Sequence, residues 1–307
     1  MSGTTPAPGT YLCYGLTVAS ALELPELVEA GPEDASAGPD VRIVAGELPG
    51  DAGEGRRVGR FARVDGDRVW LRVPGVARYL VSGGSSIVVA PDPGADDDSV
   101  RAFLLGAGFA AVLYQRGFLV LHGNAVAVGD ACLVCVGPSH SGKSTLAAAL
   151  MRRGHRVLAD DVVPVDAALR VLPGTARIKL WADSADRLAI ETAGLRRVRP
   201  ALGKFSLPVG DLYPGGPLPV RWVYLLATHA SPETRLEAVN GMERYQVLRG
   251  NTYGAGYLEG MELAPGHLRR CGLLAGRVRM ARLTRPEHGF DVDALVDRVL
   301  EDVAAHG

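Results

Sequence analysis

The stretch "GPSHSGKST", residues 137–145, decides how this chain is read. It carries Gly-x-x-x-x-Gly-Lys-Ser, the spacing of a loop that wraps a polyphosphate. Glycines let the backbone turn so that successive N–H groups point inward, and the helix that follows adds the positive end of its dipole. The lysine bridges the terminal phosphates, and the next hydroxyl meets a Mg²⁺ ion. Gly137, Pro138, Ser139, His140, Ser141, Gly142, Lys143, Ser144 and Thr145 are therefore expected to cradle a nucleotide, with Ser144 on the cation.

The flanks give that loop the context it needs. "ACLVCV" (131–136) is an apolar strand, and "STLAAALMRR" (144–153) is a run of helix formers that stops at Gly154, a C-cap position. Cys132 and Cys135 read Cys-x-x-Cys, but residues three apart on a strand face opposite ways, so they are expected to pack the core. "HRVLADD" (155–161) predicts a strand that ends in two carboxylates, Asp160 and Asp161. One is expected on the metal shell and the other before an incoming nucleophile. Neither the guanine-reading Asn-Lys-x-Asp of switch GTPases nor the Leu-Ser-Gly-Gly of transport ATPases occurs, which leaves phosphoryl transfer in front.

Outward from this centre the signals are coarser. The first hundred residues hold short strand patterns at "DVRIVAGEL", "RFARV", "RVWLRV" and "RYLVSG", with a hairpin turn expected at Asp65-Gly66 and loop and edge material over 29–58. "PDPGADDDS" (91–99) reads as an acidic turn in which Asp98 or Ser99 caps a helix over 99–116. Strands are expected at 118–128, joined to 131–136 through Gly129-Asp130, and at "ARIKLW" (176–181) and "VRWVYLLA" (220–227). Val292, Leu295, Val296, Val299, Leu300 and Val303 lie on one stripe of a C-terminal helix. The predicted organisation is a β-rich portion over 1–97 followed by an α/β P-loop domain over 98–307.

With 47% apolar and 22% charged residues and a net charge of −1, nothing in the bulk composition draws the chain to nucleic acid or to an anionic membrane. The longest uncharged apolar run, "FLLGAGFAAVLY" (103–114), is too short to span a bilayer, and "MSGTTPAPGTYL" lacks the order of a secretion signal, so a cytoplasmic location is expected. Arginine outnumbers lysine by 30 to three. The three lysines are Lys143, Lys179 and Lys204; the last two, with Arg177 on the face of Lys179, are candidates to meet the substrate.

"LHGNAVAV" (121–128) followed by "GPSHSGKSTLAAALMRRGHRVLADD" (137–161) resembles the catalytic core of the HPr kinase/phosphorylase family. "YGLTVASALELPEL" (14–27), "LPGTARIKLW" (172–181) and "GNTYGAGYL" (250–258) are similar, more loosely, to HPr-kinase-related proteins found with lasso-peptide gene clusters, some of which phosphorylate a serine of a precursor peptide. The resemblance implies a P-loop fold of HPr kinase type that uses ATP and Mg²⁺. It places the catalytic histidine at His122, the loop lysine at Lys143, the metal-binding serine at Ser144, and the group that accepts the substrate hydroxyl's proton at Asp161, which leaves Asp160 as the carboxylate expected on the metal. It also makes a homo-oligomer worth expecting. Three departures accompany it. His140 stands where the family has glycine, no metal-binding glutamate is recognisable (Asp183, Asp186 and Glu191 are candidates), and the phosphorylase segment is reduced to "VLRGNTY" (247–253). The expected activity is thus transfer of the γ-phosphoryl group of ATP to a Ser or Thr hydroxyl of a peptide or small protein, without efficient phosphorolysis. A kinase of a small-metabolite alcohol and a non-catalytic ATP sensor are the rival readings. Arg199, Arg221, Arg244 and Arg249 are unranked candidates for a transition-state charge.

Overall fold

The computed structural model describes residues 9–36, 38–48, 55–210 and 215–306. Residues 1–8 of the N-terminal stretch, and 37 and 49–54 of the expected loop 29–58, lie outside these. Contacts divide the chain into two units: residues 1–118 with 254–267, and residues 119–253 with 268–307. The helical stretch after residue 97 therefore groups with the first unit, whereas the expected boundary put it with the second.

The first unit contains a nine-stranded sheet among the described residues, mostly antiparallel. In Arg68–Val73 and Ala77–Ser82 the buried Val69, Leu71, Tyr79 and Val81 share one face, and Trp70 and Leu80 on the other face are buried as well, so this part of the sheet is covered on both sides. Asp65 pairs with Arg68, so the hairpin turn falls on Gly66-Asp67, one residue beyond the expected pair, with Gly66 at φ 57°. The following helix is capped by Asp96, which accepts from Ser99 N–H at 2.7 Å; Asp98 is spent instead on an ion pair with Arg101. That helix widens to a π-turn over Leu104–Gly108 before Phe109–Gln115 resumes the α form. The segment 254–267 joins this unit tightly: Gly260 packs where any side chain would meet Val64 at 2.7 Å.

The second unit is built on β1 (Leu119–Val128), β2 (Ala131–Val136), β3 (Val157–Val165), β4 (Arg170–Val171), β7 (Leu218–His229), β8 (Arg235–Ala238) and β9 (Arg279–Pro286), with a separate pair β5 (Arg177–Trp181) and β6 (Lys204–Pro208). β2 pairs with both β1 and β7, and pairings through β3 and β4 return to β7, so five strands close a ring. β2 and β7 of the ring run parallel, and β9 adds to β7 in the same direction. Their C-terminal ends therefore lie on one side, the position where open parallel sheets bind ligands. Helix α1 (Lys143–Arg152) and helix α2 (Val292–Ala305) cover one face through Leu146, Leu150, Leu295 and Val299, packed on Leu133, Cys135 and Trp222. Cys132 faces the opposite core with Val134, Leu158 and Leu274, so the two thiols diverge as the strand period requires. Burial pushes both thiols up, that of Cys135 to about 12.

β3 corrects one expectation. The strand does not stop at the Asp pair but runs on to Val165, pairing Asp160 with Asn124 and Asp161 with Gly123. Asp161 holds φ at 67°, a left-handed kink inside the strand that a non-glycine residue adopts only when its surroundings impose it.

Candidate functional site

The phosphate loop joins β2 to α1. Gly137 sits at φ 145°, where a Cβ would lie 2.5 Å from the carbonyl oxygen of Leu226. Gly142, at φ 102°, is the N-cap of α1. At both places the backbone rules out a side chain, which is why the motif needs glycine there. His140 also takes a positive φ, 65°, and its ring stacks on Trp181 with centroids 5.5 Å apart. The residue that departs from the family thus has an aromatic support. Lys143 is buried and donates to Gly137 O at 2.8 Å and Pro138 O at 2.9 Å. Burial pulls its ammonium below the usual lysine range, against the upward pull of Asp161 and Asp160.

Asp160 and Asp161 part company, as adjacent strand residues do. Asp160, 3% exposed, accepts Ser144 Oγ at 3.3 Å, Asn124 Nδ2, and the backbone N–H of Lys179 at 2.6 Å. Burial, reinforced by the neighbouring Asp161 charge, pushes its carboxyl up to about 6. Asp161 turns the other way. Lys179 Nζ lies 2.9 Å from one of its oxygens and Lys204 Nζ 3.8 Å from the other. Burial raises its carboxyl, but the two ammonium groups outweigh that and hold it well below the usual carboxylate range. His122 Nδ1 lies 3.2 Å from the backbone oxygen of Asp161, and burial, then Lys143, keeps the imidazole below its ordinary value. Its backbone N–H donates to Asn251 O at 2.7 Å, and its ring leans on Tyr253 at 5.7 Å.

β5 and β6 explain how two distant lysines reach one carboxylate. Lys204 is the cross-strand partner of Trp181, which shares a strand face with Lys179, while Ile178 and Leu180 fill the core behind. Lys143 and Lys204 line a cavity of about 330 Å³ together with His122, Ser144, Asp161 and Trp181, and Lys179, the third lysine of the chain, reaches Asp161 from outside that lining. Arg177 is half-buried two residues earlier and lies outside that lining. Ser139, His140, Gly142 and Thr145 line the cavity; the buried Gly137, Ser141 and Asp160 and the exposed Pro138 are not part of that lining.

Of the three acidic candidates for a second cation ligand, Asp183 reaches the cavity while Asp186 and Glu191 do not. A Mg²⁺ ion keeps several waters and takes one or two carboxylates plus phosphate oxygens. The Ser144 hydroxyl beside the Asp160 carboxylate fits that need as a hard-oxygen pair. None of Arg199, Arg221, Arg244 and Arg249 lines the cavity. Arg221 lies 4.0 Å from Asp130, and Arg244 donates to Val278 O.

Two residues of the site carried no sequence signal of their own. Asn124 is fully buried on β1, opposite Asp160, and its amide nitrogen steadies that carboxylate. Arg285, at the end of β9, reaches the phosphate loop 145 positions away at His140. β9, RMARLTRP, holds three of the chain's 30 arginines, so nothing local sets Arg285 apart.

No family model matches the chain, and no curated protein matches it. Among solved structures it is similar to the HPr(Ser) kinase/phosphatase of Coxiella burnetii, at 13% identity and a TM-score of 0.31, over 61% of this chain and 90% of that one. A likeness at that score bears on neither the fold nor the chemistry, so the reading rests on the residues themselves.

Proposed function

We propose that the second unit is an ATP-dependent phosphotransferase that moves the γ-phosphoryl group to a hydroxyl. The observation that carries this reading is the placing of Asp161. It is an ionised carboxylate on the wall of the cavity that Lys143 and Ser144 also line, separate from the Asp160 carboxylate beside Ser144. A site that only grips a nucleotide needs one such acid, for the cation; a second, turned toward the cavity, serves an acceptor.

Loop amides and Lys143 hold the triphosphate. Ser144 and Asp160 hold Mg²⁺, which when bound neutralises charge on the phosphates. The acceptor oxygen forms its bond to the γ-phosphorus as the bond from that phosphorus to the β,γ-bridging oxygen breaks, and ADP leaves. Asp161 accepts the hydroxyl's hydrogen bond, aims its lone pair at phosphorus and takes the proton as the new bond forms. The lysines make Asp161 a weak base, but in a loose transition state the nucleophile needs aiming more than early deprotonation. Lys204 disperses charge on the incoming phosphoryl group, Lys179 holds the Asp161 carboxylate, and His122 fixes the backbone of Asp161.

The acceptor we infer is a Ser or Thr hydroxyl of a peptide or small protein, with a biosynthetic precursor peptide as the sharper version. Incubation with γ-labelled ATP and Mg²⁺ against pools of Ser/Thr peptides and of small hydroxyl metabolites tests it. Label in peptide supports the reading, and label in metabolites alone moves the acceptor class. ATP binding with no transfer to either pool makes the unit a sensor.

A further inference from the structure

We propose that Arg285 positions the phosphate loop: its guanidinium holds two successive carbonyls turned outward, so that the loop keeps its turn and the Gly142 amide faces the nucleotide. This rests on the phosphate-binding reading above and adds a residue to it. The parallel order of β2, β7 and β9 brings the end of β9 beside the loop. There Arg285 Nε donates to Ser141 O at 3.3 Å, Nη2 to His140 O at 3.4 Å and Nη1 to Pro286 O at 2.7 Å. Its guanidinium carbon lies over Phe290, 3.9 Å from the ring centroid, a contact that supports the fork from one side.

A peptide unit is planar and trans, so its C=O and N–H point in opposite directions. Fixing the carbonyl of Ser141 therefore aims the N–H of Gly142 away from Arg285, while the N–H of Ser141 donates to Pro138 O at 3.3 Å and closes the turn of the loop. The Gly142 amide belongs to the stretch that must point at phosphate, and Gly142 lines the cavity. The loop has particular need of such a hold, because His140 sits at a positive φ that glycine would adopt freely and histidine does not. Arginine suits the role because its planar fork serves two acceptors at once, where a lysine offers a point charge. The fit is close: a Cβ on Gly142 would lie 3.3 Å from Arg285 Nε.

Charge supports the same assignment. Arg285 is 9% exposed, and among the described residues it makes no ion pair with a carboxylate. Burial, and then the nearby Arg187 charge, lowers its affinity for its proton. Its hydrogen bonds all go to neutral carbonyls, so its charge remains available to the field of the cavity it helps to line. A bound polyphosphate would compensate it.

The test is equilibrium binding of ATP–Mg²⁺ to the full chain by calorimetry, with the unfolding midpoint of each variant measured alongside. Arg285→Lys keeps the charge and loses the fork; its affinity should fall about tenfold or more, the worth of one charge-assisted hydrogen bond. Phe290→Leu leaves the arginine but removes that support, and affinity should fall by a smaller factor. In Arg285→Ala, added guanidinium should restore binding, and ammonium at the same ionic strength should not. Wild-type affinity in Arg285→Lys would overturn the proposal, as would equal restoration by ammonium. If the wild-type chain binds ATP in a Lys143-dependent manner while these results fail, only the role of Arg285 falls. If the wild type binds no ATP, both this and the phosphotransferase reading fall.

Discussion

Replacing Lys179 by methionine isolates the ion pair on which the chemistry of Asp161 depends. The ammonium lies 2.9 Å from Asp161 Oδ2, and the two side chains are 21% and 23% exposed, so solvent screens the pair only in part. At an effective dielectric constant of about 20, the gross attraction at that separation is about 6 kcal/mol. Desolvation of both groups offsets much of it, and Lys204, 3.8 Å from the other oxygen, still supports the carboxylate in the variant. A net loss of roughly 2–4 kcal/mol at pH 7 is expected for Lys179→Met. The sign with pH follows from the direction of the shift. Lys179 and Lys204 hold Asp161 below its ordinary value against the upward push of burial, so the stabilisation is present at neutral pH and fades on acidification. In the variant Asp161 takes a proton sooner, and the gap to wild type therefore closes as pH falls. Urea unfolding at pH 7 and stepped down through the acid range to the onset of acid unfolding, with the slope checked for constancy, measures both terms. A gap that keeps its size down to that limit would refute the reasoning, as would a gap below about 0.5 kcal/mol at pH 7, the scale of an exposed pair.

Four further outcomes are expected. Asp161→Asn should lower phosphoryl transfer by about 10²–10⁴-fold, the range of a lost general base, while ATP affinity measured by calorimetry stays near that of wild type. Gly123→Ala puts a Cβ 2.2 Å from the carbonyl oxygen of Cys135, so β1 and β2 must part between His122 and Asn124. It should cost roughly 1–3 kcal/mol or more in urea unfolding and weaken ATP binding, where a neutral strand substitution would do neither. Because burial and Asp161 push the Asp160 carboxyl up to about 6, Mn²⁺ affinity followed by paramagnetic resonance should strengthen as pH rises through that value and should lose this dependence in Asp160→Asn. Trp181→Leu removes the ring under His140 and Lys204 and should weaken ATP binding severalfold, read by calorimetry, with little change in the unfolding midpoint.

How much of the site was readable in advance can be followed residue by residue. The loop and Asp160-Asp161 are local patterns: glycine where φ is positive, an apolar strand before, helix formers after. Their spacing is a property of one covalent stretch, and the structure places them together. The scarcity of lysine singled out Lys179 and Lys204, but not the reason for it, which is a shared ion pair on Asp161. The helix cap moved from Asp98 to Asp96 because Asp98 is taken by Arg101. The strand expected to end at Asp161 continues because β1 offers it partners as far as Leu119.

What the sequence by itself determined is the phosphate loop, the strand–loop–helix that carries it and the two carboxylates 17 and 18 residues beyond Lys143, Asp160 and Asp161. Each depends on backbone geometry and neighbours along one short stretch. What only the tertiary structure decided is that Lys179 and Lys204 share Asp161, and that Asn124 and Arg285 belong to the site at all. Those facts come from strand order and register. Parallel pairing of β2, β7 and β9 carries Arg285 to His140, and a left-handed kink at Asp161 swings one acid away from the other. No local pattern encodes such meetings, because the free energy that sets them is the burial of a core shared by strands far apart in the chain.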